Sequence, residues 1–252
     1  MPKIFLTGDL HGPIDIEKLH HNRFTRGQNL TKEDYLIILG DFGLVFAQPL
    51  SENYKEEEML LDWLDKQPWT TLFIDGNHEN FTRLWDEKEF PVIKNFHDGK
   101  ASQIRKSIFY LHRGQVFKLN EKTFFTMGGA LSIDKAHRTP NVSWWPEENI
   151  RYLDIEEAYK NLQRHNMTVD YVLSHAAPMT FLQDLIDKKC LSEPLIDDSN
   201  SKALEEIYKQ ITFNRWYFGH YHTEAIQKKY TVLYDAIIEV NYSAIELPRI
   251  LA

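Results

Sequence analysis

The sequence predicts an α/β fold in which parallel strands are joined by crossover helices. Over the first two-thirds of the chain, short apolar runs alternate with segments of helical periodicity, and several of those runs end in a turn bearing an acid, an amide or a histidine. Scale is the remaining observation. A chain of 252 residues, 42% hydrophobic, can bury one sizeable core. No internal repeat, low-complexity tract or Pro/Gly/Ser-rich linker divides it, so residues 1–252 read as one domain.

Each element follows from its local pattern. "KIFLT" reads as the first strand and is followed by a helix expected over Ile14 to Asn22. "YLIIL" is the second strand, before an amphipathic helix over roughly Glu52 to Lys66, whose run "KEEEMLLDWLDK" presents an acidic solvated face. "TTLFID" is the third, before a helix from Asn80 to Glu87. A β-rich middle follows in "SIFYLH", "GQVFKL" and "KTFFTMGG". A helix from about Glu147 to His165, started by Pro146, then leads to the strand "DYVLSH". Two further helical stretches, the strand "RWYFGH" and terminal strands in "KYTVLYDAIIEVNY" complete the chain.

Composition excludes several classes. No apolar run approaches the roughly 18 residues of a membrane span, and the amino terminus reads as a strand without a basic lead, so a cytoplasmic protein with no membrane partner is expected. The single cysteine, Cys190, excludes an intramolecular disulfide framework and a multi-cysteine zinc site, and reads as a surface helix end. A net charge of −8 disfavours non-specific adhesion to nucleic acid.

The chemistry lies at the strand ends. "FLTGDLHG" offers Asp9 and His11, "LIILGDFG" Asp41, "LFIDGNHE" Asn77 and His78, "YVLSHAAP" His175, and "WYFGHYH" His220 and His222. Polar groups beyond the carboxyl ends of parallel strands converge on one crevice, so loops far apart in sequence can meet there. Taken singly, Gly-Asp after a strand is ordinary turn chemistry, and an isolated histidine is more often hydrogen-bonded than ligating. The repetition favours a site. Carboxylate, imidazole and carboxamide without thiolate suit divalent Mn, Fe, Zn or Ni. The candidate donors exceed what one ion draws from protein, and an aspartate such as Asp41 can give one oxygen to each of two cations. Two metal ions are the economical count.

The ordered series "GDLHG", "GDFG", "GNHE", "SHAAP" and "GHYH", spanning residues 8 to 222, resembles the calcineurin-like metallophosphoesterase family. That resemblance implies a four-layer sandwich, two mixed β-sheets flanked by α-helices, around a dinuclear centre for which manganese is the leading metal. By motif, Asp9, His11, Asp41 and His222 would hold one ion, and Asp41, as bridge, would join Asn77, His175 and His220 on the other. His78 would give a proton to the leaving oxygen or stabilise its charge, oriented by a carboxylate for which Asp41 is a candidate.

A second stretch, "MGGALSIDKAHRTPNVSWWPEE" at residues 127 to 148, reads either as a long loop pinned by tryptophans or as a substrate loop. In the second reading Arg138 pairs with phosphate and an indole of Trp144 or Trp145 stacks on a base or covers the site. Arg83, after "GNHE", is a second candidate phosphate partner.

The family branches do not agree on substrate. Serine/threonine phosphatases and dinucleoside tetraphosphatases share the "GDLHG" and "GNHE" forms. Their second block usually runs on to Val-Asp-Arg-Gly where this chain has "GDFGLVF", and Asp75 stands where an arginine commonly precedes the GNH block. The leading expectation is a phosphatase acting on phosphoprotein or small phosphomonoesters. The alternatives are a nucleotide phosphodiesterase or dinucleoside polyphosphate hydrolase, then a nuclease, then a non-catalytic scaffold.

Overall fold

The computed structural model describes residues 2–191 and 198–240. Among the described residues, thirteen strands form two sheets. In the first, β1 (Ile4–Thr7), β2 (Tyr35–Leu39), β3 (Thr70–Ile74) and β6 (Ile108–Leu111) run parallel. β4 (Val92–Phe96) and β5 (Gly99–Arg105) join one edge antiparallel, and the short β13 (Ile238–Glu239) the other. The second sheet has a parallel centre of β8 (Lys122–Met127), β9 (Thr168–Ser174), β10 (Thr212–Phe218) and β12 (Tyr230–Val232). Antiparallel β7 (Gln115–Leu119) and β11 (Ala225–Ile226) lie at its edges.

Strand alternation builds the layers. In β2, Ile37 and Leu39 point toward the second sheet, where with Leu6, Leu72, Phe117, Phe124 and Leu173 they form the core between the sheets. Leu36 and Ile38 point the other way, onto Leu61 and Leu64 of α1 (Glu52–Asp65). The outer face of the second sheet, including Val172, Trp216 and Phe218, is covered by α3 (Tyr152–Arg164), α4 (Met179–Asp187) and α5 (Ser199–Tyr208). The result is the mixed-sheet sandwich flanked by helices. Central strands buried on both faces explain why "YLIIL" and "TTLFI" are continuously apolar instead of alternating.

Three helices differ from their sequence expectation. Ile14 to Asn22 holds only one 3-10 turn, Ile16–Leu19, because Lys18 is buried and its ammonium donates to the carbonyls of Gly8 (3.3 Å), Asp9 (2.5 Å) and Tyr234 (2.8 Å). The segment after "GNHE" shortens to α2 (Phe81–Leu84), since Arg83 draws Glu89 back onto its own guanidinium. The expected helix from Glu147 is interrupted before Tyr152. Arg113 takes the carbonyls of Glu147 (3.0 Å), Glu148 (3.2 Å) and Asn149 (2.8 Å), which then cannot serve an α-helix.

The β4–β5 hairpin escapes periodicity because it is a half-exposed edge with weak apolar alternation. Its turn at His97 and Asp98 has positive φ at both residues (50° and 72°), the geometry that suits a tight hairpin. Of the expected terminal strands, Asn241 and Tyr242 lie outside the described residues. Among the described residues no helix is long and apolar enough to cross a membrane.

Candidate metal centre

β1, β2, β3, β9 and β10 all end at the same edge of the sandwich, and the turn after each carries the polar residues read from the sequence. The structure brings Asp9, His11 and His222 together, with ligating atoms within 4.8 Å of one another, and likewise Asp41, His175 and His220. Asp41 joins the two groups. Its Oδ2 lies 3.3 Å from His11 Nε2 and its Oδ1 lies 3.3 Å from His175 Nε2. Asp9 Oδ2 lies 3.1 Å from His222 Nε2 and 3.9 Å from His11 Nε2.

Tight turns make this convergence. His11, Asp41, His220 and His222 have φ of 45°, 46°, 70° and 45°, a left-handed conformation that costs a non-glycine residue about 1–3 kcal/mol and is characteristic of functional turns. Glycine is required beside them. A Cβ on Gly40, itself at φ 91°, would come within 2.2 Å of His175 Nδ1, and one on Gly219 within 2.3 Å of Asp9 Oδ1. The Gly-Asp and Gly-His pairs of the sequence are thus packing requirements of the site.

The donor atoms fit a cation better than they fit one another. Asp9 Oδ2, Asn77 Oδ1 and His175 Nε2 are all buried without a properly aligned hydrogen-bond partner, a state that costs about 1–3 kcal/mol per group unless something else satisfies it. All three are ligand atoms by motif. His175 directs its Nδ1 at the Leu39 carbonyl (2.7 Å), which fixes that nitrogen as the donor and leaves Nε2, 3.3 Å from Asp41 Oδ1, as the atom that either a proton or a cation can occupy. His11 does the same through Asp15, 2.8 Å from its Nδ1.

The electrostatics agree with a cation site. Burial opposes charge on His175, yet the Asp41 and Asp9 carboxylates raise its pKa to about 10, which measures the negative field at that point. Burial raises and the neighbouring histidines lower the Asp41 pKa; the histidines prevail and hold it well below the usual carboxylate range. His220, half-buried beside His175, is pushed down to about 4 by desolvation and by the His175 charge, and presents a neutral ring.

Residues unremarked in the sequence hold these ligands. Glu79, the acid of "GNHE", is buried and accepts the backbone N–H groups of Phe42 (2.7 Å) and Gly43 (3.3 Å), clamping the turn that carries Asp41. Burial and the nearby Asp41 carboxylate push its pKa well above the usual value. Ser132 donates its hydroxyl to buried Glu148 (2.8 Å), so toward Asn77 it can only accept, and the Asn77 amide donates to it at 3.2 Å. That polarity leaves Asn77 Oδ1 turned away from Ser132 and open to a cation. Ser132→Ala is expected to weaken metal affinity roughly 10–100-fold, measured as metal retained against a graded chelator. Retention equal to the parent protein would mean that Asn77 is oriented by other contacts.

His78 lies at the rim of this cluster. Its ring is 5.3 Å from the His11 ring, and its Nε2 is 3.3 Å from Arg138 Nη2. The carboxylate expected to orient the ring does something else: Asp41 Oδ1 accepts the backbone N–H groups of Asn77 and His78, both at 2.8 Å. Burial, with Arg138 nearby, lowers the His78 pKa instead of raising it.

The two candidate phosphate arginines separate. Arg138 reaches the site and also pairs with Asp134 at 2.9 Å. Arg83 does not. It is buried with its guanidinium on Glu57 (2.9 Å), Glu89 (2.8 Å) and the Ala47 carbonyl (2.9 Å), so it is a structural cation rather than a phosphate partner. Arg83→Ala leaves the buried Glu57 carboxylate without its counter-ion, and is expected to cost about 3–5 kcal/mol in denaturant unfolding. Unchanged stability together with a raised KM would restore it to the substrate. Trp145 is likewise unavailable for stacking: it is buried, and its indole donates to Thr82 (3.0 Å). Trp144 is half-buried, beneath the Lys135 ammonium. Asp75, where the branch pattern has an arginine, is a buried anchor that accepts from the Tyr110 hydroxyl (2.9 Å) and Arg113 Nε (2.8 Å).

The family model for calcineurin-like phosphoesterases matches residues 2–224. No curated protein matches. Among solved structures, the phosphopantetheinyl hydrolase PptH from Mycobacterium tuberculosis is similar at 15% sequence identity and a TM-score of 0.40, with 98% of each chain covered.

Proposed function

Since the chain belongs to the calcineurin-like phosphoesterase family, and so to hydrolases of phosphate esters, we propose that it is a phosphomonoesterase working with two divalent metal ions, manganese foremost among Mn, Fe, Zn and Ni. Asp9, His11, Asp41 and His222 would hold one ion, and Asp41, Asn77, His175 and His220 the other. Cations bound there supply Lewis acidity, lowering the pKa of water and neutralising charge that develops on phosphoryl oxygens.

One observation carries the reading. His78, which by motif is not a ligand although its ring lies within ligating distance of His11 and Asp41, stands at the edge of the cluster within 3.3 Å of a guanidinium, Arg138. In the free protein the Arg138 guanidinium can only donate to His78 Nε2, so that ring is a neutral acceptor; with substrate bound, Arg138 would turn to a phosphoryl oxygen and His78 would give its proton or hydrogen bond to the leaving oxygen. Glu79 and Ser132 keep the ligand turns in position while charge moves.

A phosphodiester is the second reading, favoured by one fact. With Arg83 committed to Glu57 and Glu89, Arg138 faces the phosphate without Arg83, and it is already shared with Asp134, an arrangement that suits a monoanion. Manganese-reloaded protein should hydrolyse para-nitrophenyl phosphate faster than its bis-para-nitrophenyl diester. The reverse preference would replace the first reading by the second, and hydrolysis of neither by metal-loaded protein would defeat both.

A further inference from the structure

A cleft of about 280 Å³ opens onto the metal centre, and His11 and His78 form its inner end. The apolar wall comes from Pro13 and Ile14 in the turn after β1 and from Phe46 after β2, and Ile14 is 76% exposed. The outer end is acidic. Glu57 there is already committed to Arg83 and to the backbone N–H groups of Phe46 and Ala47, whereas Glu56, one residue earlier on α1, faces solvent. Among the described residues, no Lys or Arg lines the cleft.

His78, the donor proposed for the leaving oxygen, is part of the cleft wall, so the group that departs lies in the cleft and the phosphoryl group lies over the metal centre. From that juxtaposition we infer that the cleft selects the leaving group, taking an apolar stem that is uncharged or cationic at its far end and rejecting one that carries a second phosphate or a carboxylate. The inference rests on the phosphoesterase reading. The volume accommodates about nine water-sized groups, a short alkyl or aryl chain with one terminal function. Burial of the stem against Ile14 and Phe46 supplies affinity, and the carboxylate of Glu56 supplies the sign of the terminal preference. A polyphosphate or polynucleotide leaving group would place its next phosphate against that carboxylate without a cation to receive it.

The test uses the manganese-loaded protein and three esters of equal stem length: hexyl phosphate, 6-aminohexyl phosphate and the phosphate of 6-hydroxyhexanoic acid. An exposed carboxylate discriminates modestly, so kcat/KM should fall about threefold from the amino to the neutral ester and about threefold again to the carboxylate. Glu56→Gln should level the amino and neutral esters, and Glu56→Lys should invert the order. Equal rates on all three esters, or the same order retained in Glu56→Gln, would overturn the assignment of the cleft. Para-nitrophenyl phosphate serves as reference. If it is hydrolysed while the three esters are not told apart, the cleft assignment fails alone; if it is not hydrolysed, the phosphoesterase reading fails and carries the cleft with it.

Discussion

Asp41→Asn is expected to reduce turnover by roughly a thousandfold or more, the loss that follows when several kcal/mol of metal-derived charge stabilisation is removed, and to strip metal from one or both positions. Asp41 is the residue that the two proposed ligand sets share, its oxygens 3.3 Å from His11 Nε2 and from His175 Nε2. An asparagine can keep one carbonyl oxygen as acceptor for the Asn77 and His78 N–H groups. Its amide nitrogen must then point at a histidine nitrogen and can ligate nothing. Because that backbone clamp and the Glu79 contacts survive, the variant should fold. Metal content by elemental analysis, circular dichroism and turnover should therefore separate: metal and activity lost, fold kept. Full activity in Asp41→Asn would defeat the bridging role.

His78→Ala should behave differently. Losing a positioned proton or hydrogen-bond donor costs about 10²–10⁴ in rate, and the effect should be largest for alkyl esters, whose leaving oxygen needs the proton most. Para-nitrophenyl phosphate, with a stabilised leaving group, should lose much less. Metal content should stay close to that of the parent protein, since His78 Nε2 faces Arg138 and the seven ligands by motif are complete without it. Metal loss matching that of Asp41→Asn would make His78 a ligand, and an equal loss on both esters would argue that it positions the phosphoryl group.

The strand-end grammar was legible because its cause is local. A parallel strand that ends in Gly-Asp or Gly-His must turn sharply, and the turn needs a residue without Cβ beside the one that carries the ligand, as at Gly40 and Gly219. Helix lengths were less legible. The segments at Ile14, Asn80 and Glu147 have acceptable helical patterns, and each is cut short by a buried cation, Lys18, Arg83 or Arg113, seeking oxygens elsewhere in the fold. Periodicity does not encode such demands. Glu79 could have been noticed, since it lies inside the quoted "GNHE". Nothing local marks Ser132 or Glu148, which come from a loop and a 3-10 turn and meet Asn77 only in space.

The sequence by itself determined the alternating α/β order, the strand ends that carry Asp9, His11, Asp41, Asn77, His175, His220 and His222, and the family to which that ordered series points. These are properties of short windows, in which apolar period and turn chemistry decide the outcome. Only the tertiary structure decided which arginine stands beside His78 and which is spent on buried carboxylates, which tryptophan is spent on the core, which hydroxyl turns the Asn77 amide, and that a cleft with Glu56 in its lining opens beside His78. In each case a charged or polar side chain chooses among partners distant in the chain, by which buried opposite charge or unsatisfied hydrogen-bonding group lies within reach. That choice is made by packing.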